Sequence, residues 1–78
     1  MTDTVDQQVR QIMALVFNIP TDAIEDDISI MSIPEWDSLG HANLMLALEE
    51  SFGVQLPADA IVELQSLPDI VAFLASGR

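Results

Sequence analysis

A chain of 78 residues makes one small domain at most, and such a chain buries only about 60% of its unfolded surface, so its core is thin. Thirteen acidic residues against two arginines give a formal net charge of -11, which repels nucleic acid and anionic membrane surfaces and favours a partner with a basic patch. No cysteine and a single histidine, His41, leave no disulfide, no native thiolate, and none of the usual zinc or triad arrangements.

Half of the residues are hydrophobic, too many for an acidic disordered tail. Met1-Thr2-Asp3-Thr4 has neither the basic region nor the apolar run of a signal peptide. The apolar runs are too short to span a bilayer. The expectation is a free-standing cytoplasmic monomer formed by one domain over residues 1–78, without stable membrane insertion.

The first helix is expected from about Thr4 to Phe17. Val5, Val9, Ile12, Met13 and Val16 recur at helical spacing and build one apolar stripe. Thr4 and Gln7 can form a capping box, and Asn18 and Pro20 end the run. From Asn18 to Asp37 no helical period persists. This stretch carries Asp22, Glu25, Asp26 and Asp27, then Ile28, Ile30, Met31 and Ile33, which read as anchors folding a long loop over a helical core. A short strand over Ile28 and Ile30 is disfavoured, since no second strand is evident to pair with it. The acids do not match the spacing of an EF-hand, and no specific metal site is expected.

The second helix starts at Asp37 or Ser38 and runs to about Ser51. Asp37 is a good N-cap, and Gly53 can close the helix in a left-handed conformation. Leu44 and Leu48 share one face, Met45, Leu48 and Phe52 a neighbouring one, and Ala42 and Leu46 lie to the side. So broad an apolar arc implies packing on two flanks or an exposed strip for docking. His41 is expected to be exposed in the first or second turn. Trp36 either covers the underside of the loop or joins a partner surface.

Pro57 opens a short third helix to about Glu63 or Leu64, with Ile61 and Leu64 inward. Ser66 caps a fourth helix, Pro68 sits in its first turn, and Asp69 completes the box. Ile70, Val71, Phe73 and Leu74 supply its buried side, and Gly77 and Arg78 form a frayed end. The expected fold class is all-α: a small four-helix bundle of three main helices and one short one, with a long loop between helices one and two.

Trp36-Asp37-Ser38-Leu39-Gly40 is the segment that carries chemistry. It sets a serine hydroxyl at a helix start with no general base nearby. Such a serine is a poor nucleophile by itself but a suitable attachment point for a group installed by another enzyme. The bare Asp-Ser pair is usually only a helix cap. Its setting is what distinguishes it here.

That setting resembles the acyl carrier proteins over nearly the whole chain: the long loop after helix one, Asp37-Ser38-Leu39, the Leu-rich helix ending Glu49-Glu50-Ser51-Phe52-Gly53, Pro57 opening helix three, and the junction from Leu64 to Ser66 before Ile70 and Phe73. The resemblance implies that Ser38 carries a 4′-phosphopantetheine arm derived from coenzyme A and installed by a phosphopantetheinyl transferase with magnesium. It implies a thioester-bound acyl cargo, and no catalytic residue in the carrier itself. Asp37 would cap the helix and present Ser38.

The same resemblance places partner recognition on helix two and the loop before it, here Glu35, Glu49 and Glu50 with Asp37 as charged contacts and Leu39, Ala42 and Leu46 as the apolar strip. The acids would act on encounter rate and orientation more than on affinity. Leu48, Ile61 and Leu64 mark the cleft between helices two and three in which family members often shelter the acyl chain. The implied partners are the transferase, an acyl-loading ligase or acyltransferase, and a downstream synthase or transferase.

Fatty-acid synthesis carriers usually have acids where this chain has Gly40 and Asn43, and Trp36 and His41 also differ from the common form. The expectation is therefore a carrier in polyketide or other specialised metabolism. An aminoacyl or peptidyl carrier and a fatty-acid synthesis carrier are the alternatives within the family. An unmodified acidic adaptor is the alternative of another class.

Overall fold

The computed structural model describes residues 2–76; Gly77 and Arg78, expected as a frayed end, lie outside the described residues. Four α-helices follow one another: α1 over Thr2–Phe17, α2 over Ser38–Phe52, α3 over Ala58–Glu63 and α4 over Leu67–Ala75. This is the all-α arrangement of three main helices and one short one, with a 3₁₀ turn at Thr21–Ala23 inside the long loop. No helix is long and apolar enough to cross a membrane among the described residues.

α1 buries Val9, Met13 and Phe17 completely or nearly so, with Val5, Ile12 and Val16 packed at the margins of the stripe. The helix already includes Thr2, so Thr4 stands inside it and the capping box of Thr4 with Gln7 does not form. An N-cap must have a non-helical backbone, and nothing in Thr2-Asp3 breaks the helix before Thr4. Asn18 ends α1 at φ 58°, and Ile19 N donates to Ala14 O at 3.1 Å. The backbone thus turns left-handed and closes a Schellman motif. Gly53 repeats the device after α2, at φ 65°, with Val54 N donating to Glu49 O at 3.2 Å.

The loop before α2 is anchored as its isoleucines suggest. Ile24 and Ile28 are buried, and Ile30 and Ile33 are partly buried against the core. Met31 departs from this pattern: it is 71% exposed, at φ 71°, with its N–H donating to Trp36 O at 2.7 Å. Its left-handed backbone, in the turn that closes on Trp36, carries the side chain on the solvent side. The dismissed strand also has a small counterpart. Ile30 N donates to Gln65 O at 2.8 Å, and Leu67 N to Ile28 O at 2.9 Å, making a single antiparallel bridge between Ser29 and Ser66. The residues just before α4 supply the partner that no strand pattern announced.

α2 turns Leu44, Met45 and Leu48 inward. α1 packs closely on both α2 and α4, and α3 has no comparably close helical neighbour. α3 buries Ala60 and is followed by buried Leu64; Ile61 is only partly buried. Pro57 stands just outside α3, at its N-cap. α4 contributes Leu67, Ile70, Val71 and Leu74, with Phe73 at the edge. Ser66 Oγ accepts from Asp69 N at 3.3 Å, forming the serine half of the expected box.

The candidate attachment site and its surroundings

Ser38 is the first residue of α2, and it is exposed. Asp37 precedes it in an extended conformation, φ -101° and ψ -166°. Asp37 Oδ1 accepts from Gly40 N at 2.8 Å, and Asp37 O accepts from His41 N at 2.8 Å. One side chain therefore satisfies a first-turn amide while its own carbonyl begins the helical ladder. The other amides of that first turn and the positive end of the helix dipole remain to favour an anion near Ser38.

Two of the groups near Ser38 in sequence, Asp37 and His41, have structural work. The Asp37 carboxylate is capping α2. His41 is a correction to the sequence expectation: it is 7% exposed, not a surface residue. Trp36 Nε1–H donates to His41 Nδ1 at 3.0 Å, and His41 Nε2 meets Ile61 O at 2.8 Å. Since Nδ1 accepts and a carbonyl can only accept, the network assigns a neutral ring with its proton on Nε2. His41 is turned into the molecule. The site offers an accessible hydroxyl at a capped helix start.

Trp36 resolves to the underside of the loop. It is fully buried, and its ring centroid lies 5.6 Å from that of Phe17. Gly40 gains a physical reason as well. A Cβ built there would stand 2.2 Å from Glu35 O and 3.3 Å from both Asp37 Oδ1 and Phe17 Cε1. The loop comes so close to the start of α2 that a side chain at position 40 has no room.

The outer face of α2 carries Leu39, 71% exposed, and Leu46, 60% exposed, with exposed Ala42 between them. Seven residues separate the two leucines, which places them on one side of the helix. Glu35 and Glu50 are exposed. Glu49 is half-buried, and its Oε2 accepts from Leu56 N at 2.8 Å, fastening the connection that leads into α3. Of the three cleft markers, Leu48 is fully buried, Leu64 is buried and Ile61 lies at the margin.

Arg10 was missed in the sequence. It donates to Asp6 at 2.6 Å, to Asp26 at 2.5 Å and to Ile24 O at 2.9 Å, pinning the acidic loop to α1. Its bond to Asp6, with that to Asp26, outweighs burial and raises the guanidinium pKa further above its ordinary range. The available signal was that Arg10 is the one basic residue away from the C-terminus in a chain of thirteen acids.

A family model described as "Phosphopantetheine attachment site" matches residues 7–74. The chain belongs to the acyl carrier proteins of this phosphopantetheine-binding family. It is 31% identical over 68 residues to an acyl carrier protein of Campylobacter hominis, covering 87% of this chain and 86% of that one. With an acyl carrier protein of Akkermansia muciniphila it shares 28% identity over 72 residues, 92% of this chain and 90% of the relative. With one of Acidothermus cellulolyticus it shares 32% over 68 residues, 87% and 81% of the two chains. Acyl carrier proteins of this family carry their cargo on a phosphopantetheine group.

Proposed function

We propose that this carrier holds its acyl group on a 4′-phosphopantetheine arm attached to Ser38, and that it serves polyketide or other specialised metabolism. The observation that carries the first part is the exposed Ser38 at the capped start of α2, with Asp37 and His41 both committed to structure. When bound, the group supplies a terminal thiol that holds the acyl cargo as a thioester, the sulfur chemistry that a chain without cysteine lacks. Ser38 Oγ provides the oxygen that joins the arm. The phosphopantetheinyl transferase supplies the base that takes the serine proton, since Asp37 and His41 are committed to the cap and to the Trp36 and Ile61 bonds. Asp37 holds the first turn so that the hydroxyl stays presented, and the helix start tolerates the phosphodiester charge.

The specialised assignment rests on the docking face. Leu39, Ala42 and Leu46 form its apolar strip, flanked by Glu35 and Glu50 and, through the oxygen not bound to Leu56, by Glu49. Gly40 and Asn43 leave the first turns of α2 without the acids usual in fatty-acid carriers, and the contact between Gly40 and Glu35 O bars an acid at position 40. Enzymes that load and unload this chain, a ligase or acyltransferase and then a synthase or transferase, would read the apolar strip more than charge on the first turn.

The test is intact-protein mass after incubation with coenzyme A, magnesium and a tolerant transferase. A single phosphopantetheine adduct is expected on the native chain and none on Ser38→Ala, with an unchanged helical spectrum for the variant. An adduct that survives Ser38→Ala sinks the assignment of Ser38. A folded native chain left unmodified by its own host's transferase leaves the acidic adaptor as the better reading.

A further inference from the structure

His41 is a buried polar side chain for which carrying a cargo on Ser38 has no use, yet it joins three parts of the molecule. It stands in the first turn of α2, accepts from Trp36 at the end of the loop, and donates to Ile61 O in the last turn of α3. α3 has only six residues, too few for a helix to persist without tertiary support, and it lacks the close helical packing that α1 gives to α2 and α4. The carbonyls of a last helical turn have no partner within their own helix. Ile61 O is one of them, and His41 supplies its donor. At the other end, Glu49 fastens Leu56 just before α3 begins. Two side chains of α2 thus hold the short helix by its entrance and its exit.

We propose that His41 is a latch that keeps α3 seated on α2, and that it thereby determines cargo class, suiting this carrier to short or polar acyl groups over long apolar ones. The cargo half rests on the attachment of the arm at Ser38; the latch itself does not. A long acyl chain in water is driven toward apolar surface in proportion to its length. The buried apolar side chains that follow His41 along the same side of α2 are Met45 and Leu48, and Leu64, just after α3, is buried in the same core. Ser38, His41, Met45 and Leu48 follow one another at spacings of three, four and three residues, so His41 stands between Ser38 and the buried pair along one side of α2. Entry parts α3 from α2 and breaks the bond to Ile61 O, leaving a buried donor and a buried acceptor without partners. A short cargo has too few methylenes to offset that loss and stays outside, open to partner enzymes.

Two variants divide the bonds of the ring. His41→Gln places an amide nitrogen where Nε2 stands and keeps the donor to Ile61 O; His41→Asn keeps an acceptor near Trp36 Nε1 and loses that donor. Amide exchange on the unmodified protein reads the latch. In His41→Asn the amides of Ile61 in α3 and of Leu64 at its C-cap are expected to exchange about tenfold faster, with Ile70 of α4 unchanged and His41→Gln close to the native chain. Equal exchange in the native chain and His41→Asn, or equal acceleration in both variants, overturns it. Loading with butyryl and octanoyl arms then reads the cargo. The methyl signals of Leu48 and Leu64 should ignore cargo length in the native carrier and shift with octanoyl in His41→Asn. An equal octanoyl shift in both removes His41 as the determinant of cargo. Failure to load any arm would defeat the assignment of Ser38 and leave the latch to be decided by exchange alone.

Discussion

The loop of residues 18–37 and helix α2 adjoin at Asp37, yet they are held by different physics. α2 is kept by repetition: Leu44, Met45 and Leu48 fall on one side because a helix brings every third and fourth residue together. The loop is kept by single contacts with distant residues. Arg10 takes Asp26 and the Ile24 carbonyl, the residues flanking Ser66 take Ile28 and Ile30, and His41 takes Trp36. A periodic face spreads its stability over many small contributions. A loop built from individual ties concentrates it, so single substitutions should separate the two regions.

Trp36→Ala is the most severe way to break that contrast. Removing a fully buried indole costs about 3–5 kcal/mol, against a total stability of about 4–12 kcal/mol for a domain of this size. Loss of cooperative thermal unfolding, or a melting temperature lowered by tens of degrees, is expected by circular dichroism. Trp36→Phe sharpens the point. It keeps much of the packing on Phe17 but leaves His41 Nδ1 without its donor, at a cost of about 1–3 kcal/mol. If both variants melted with the native chain, Trp36 would not be the anchor of the loop.

Gly40→Ala tests the junction itself, where two effects oppose each other. Alanine inside a helix gains up to about 1 kcal/mol over glycine. The added Cβ meets the backbone carbonyl of Glu35 at 2.2 Å, and relieving such a clash costs about 1–3 kcal/mol. The obstacle is backbone, not the flexible end of a side chain, so the clash should win. The expected outcome is a lower melting temperature with an altered Trp36 emission spectrum, as the loop is pushed off α2. A stabilised Gly40→Ala variant with native emission would show that the loop gives way freely.

The same division governs what could be read from the sequence. The four helices, the Asp37 cap and the Gly53 terminus follow from spacing and local backbone preference, and they appear within a residue or two of their expected ends. The first-turn position of Ser38 was legible for the same reason. His41 was not, because its burial depends on Trp36 and on a carbonyl twenty residues further along the chain. Glu49 belongs to the same class: helical position marks it as a surface acid, while its bond to Leu56 N depends on the course of the chain after Gly53. Met31 looked like an anchor by hydrophobicity alone, but its left-handed backbone turns it out to solvent. Local rules reach as far as the helix; the partners of loop residues come from the assembled fold.

The smallest expected effect comes from the loop's electrostatic tie. Arg10→Gln removes an exposed ion pair with Asp26, a more sheltered one with Asp6, and the charged donor to Ile24 O. Pairs of this kind contribute up to about 1 kcal/mol each at most, and often nothing measurable. The raised pKa of Arg10 means that its contribution is fully present at neutral pH and is lost only as pH rises into the strongly alkaline range, so a neutral-pH melt compares a charged with an uncharged residue. The substitution also takes the formal net charge from -11 to -12, since one cation is lost. Salt then acts with opposite signs on two quantities. It weakens the pairs of Arg10, and it relieves repulsion among thirteen acids that outnumber the cations throughout the chain. Repulsion involves many more pairs, so the native chain should gain melting temperature between low and moderate salt, and Arg10→Gln should gain more because it has no pair to lose. The gap between the two melting curves should therefore narrow as sodium chloride rises. A gap that stays constant with salt would assign the role of Arg10 to its packing and its bond to the Ile24 carbonyl, with charge contributing little to holding the loop.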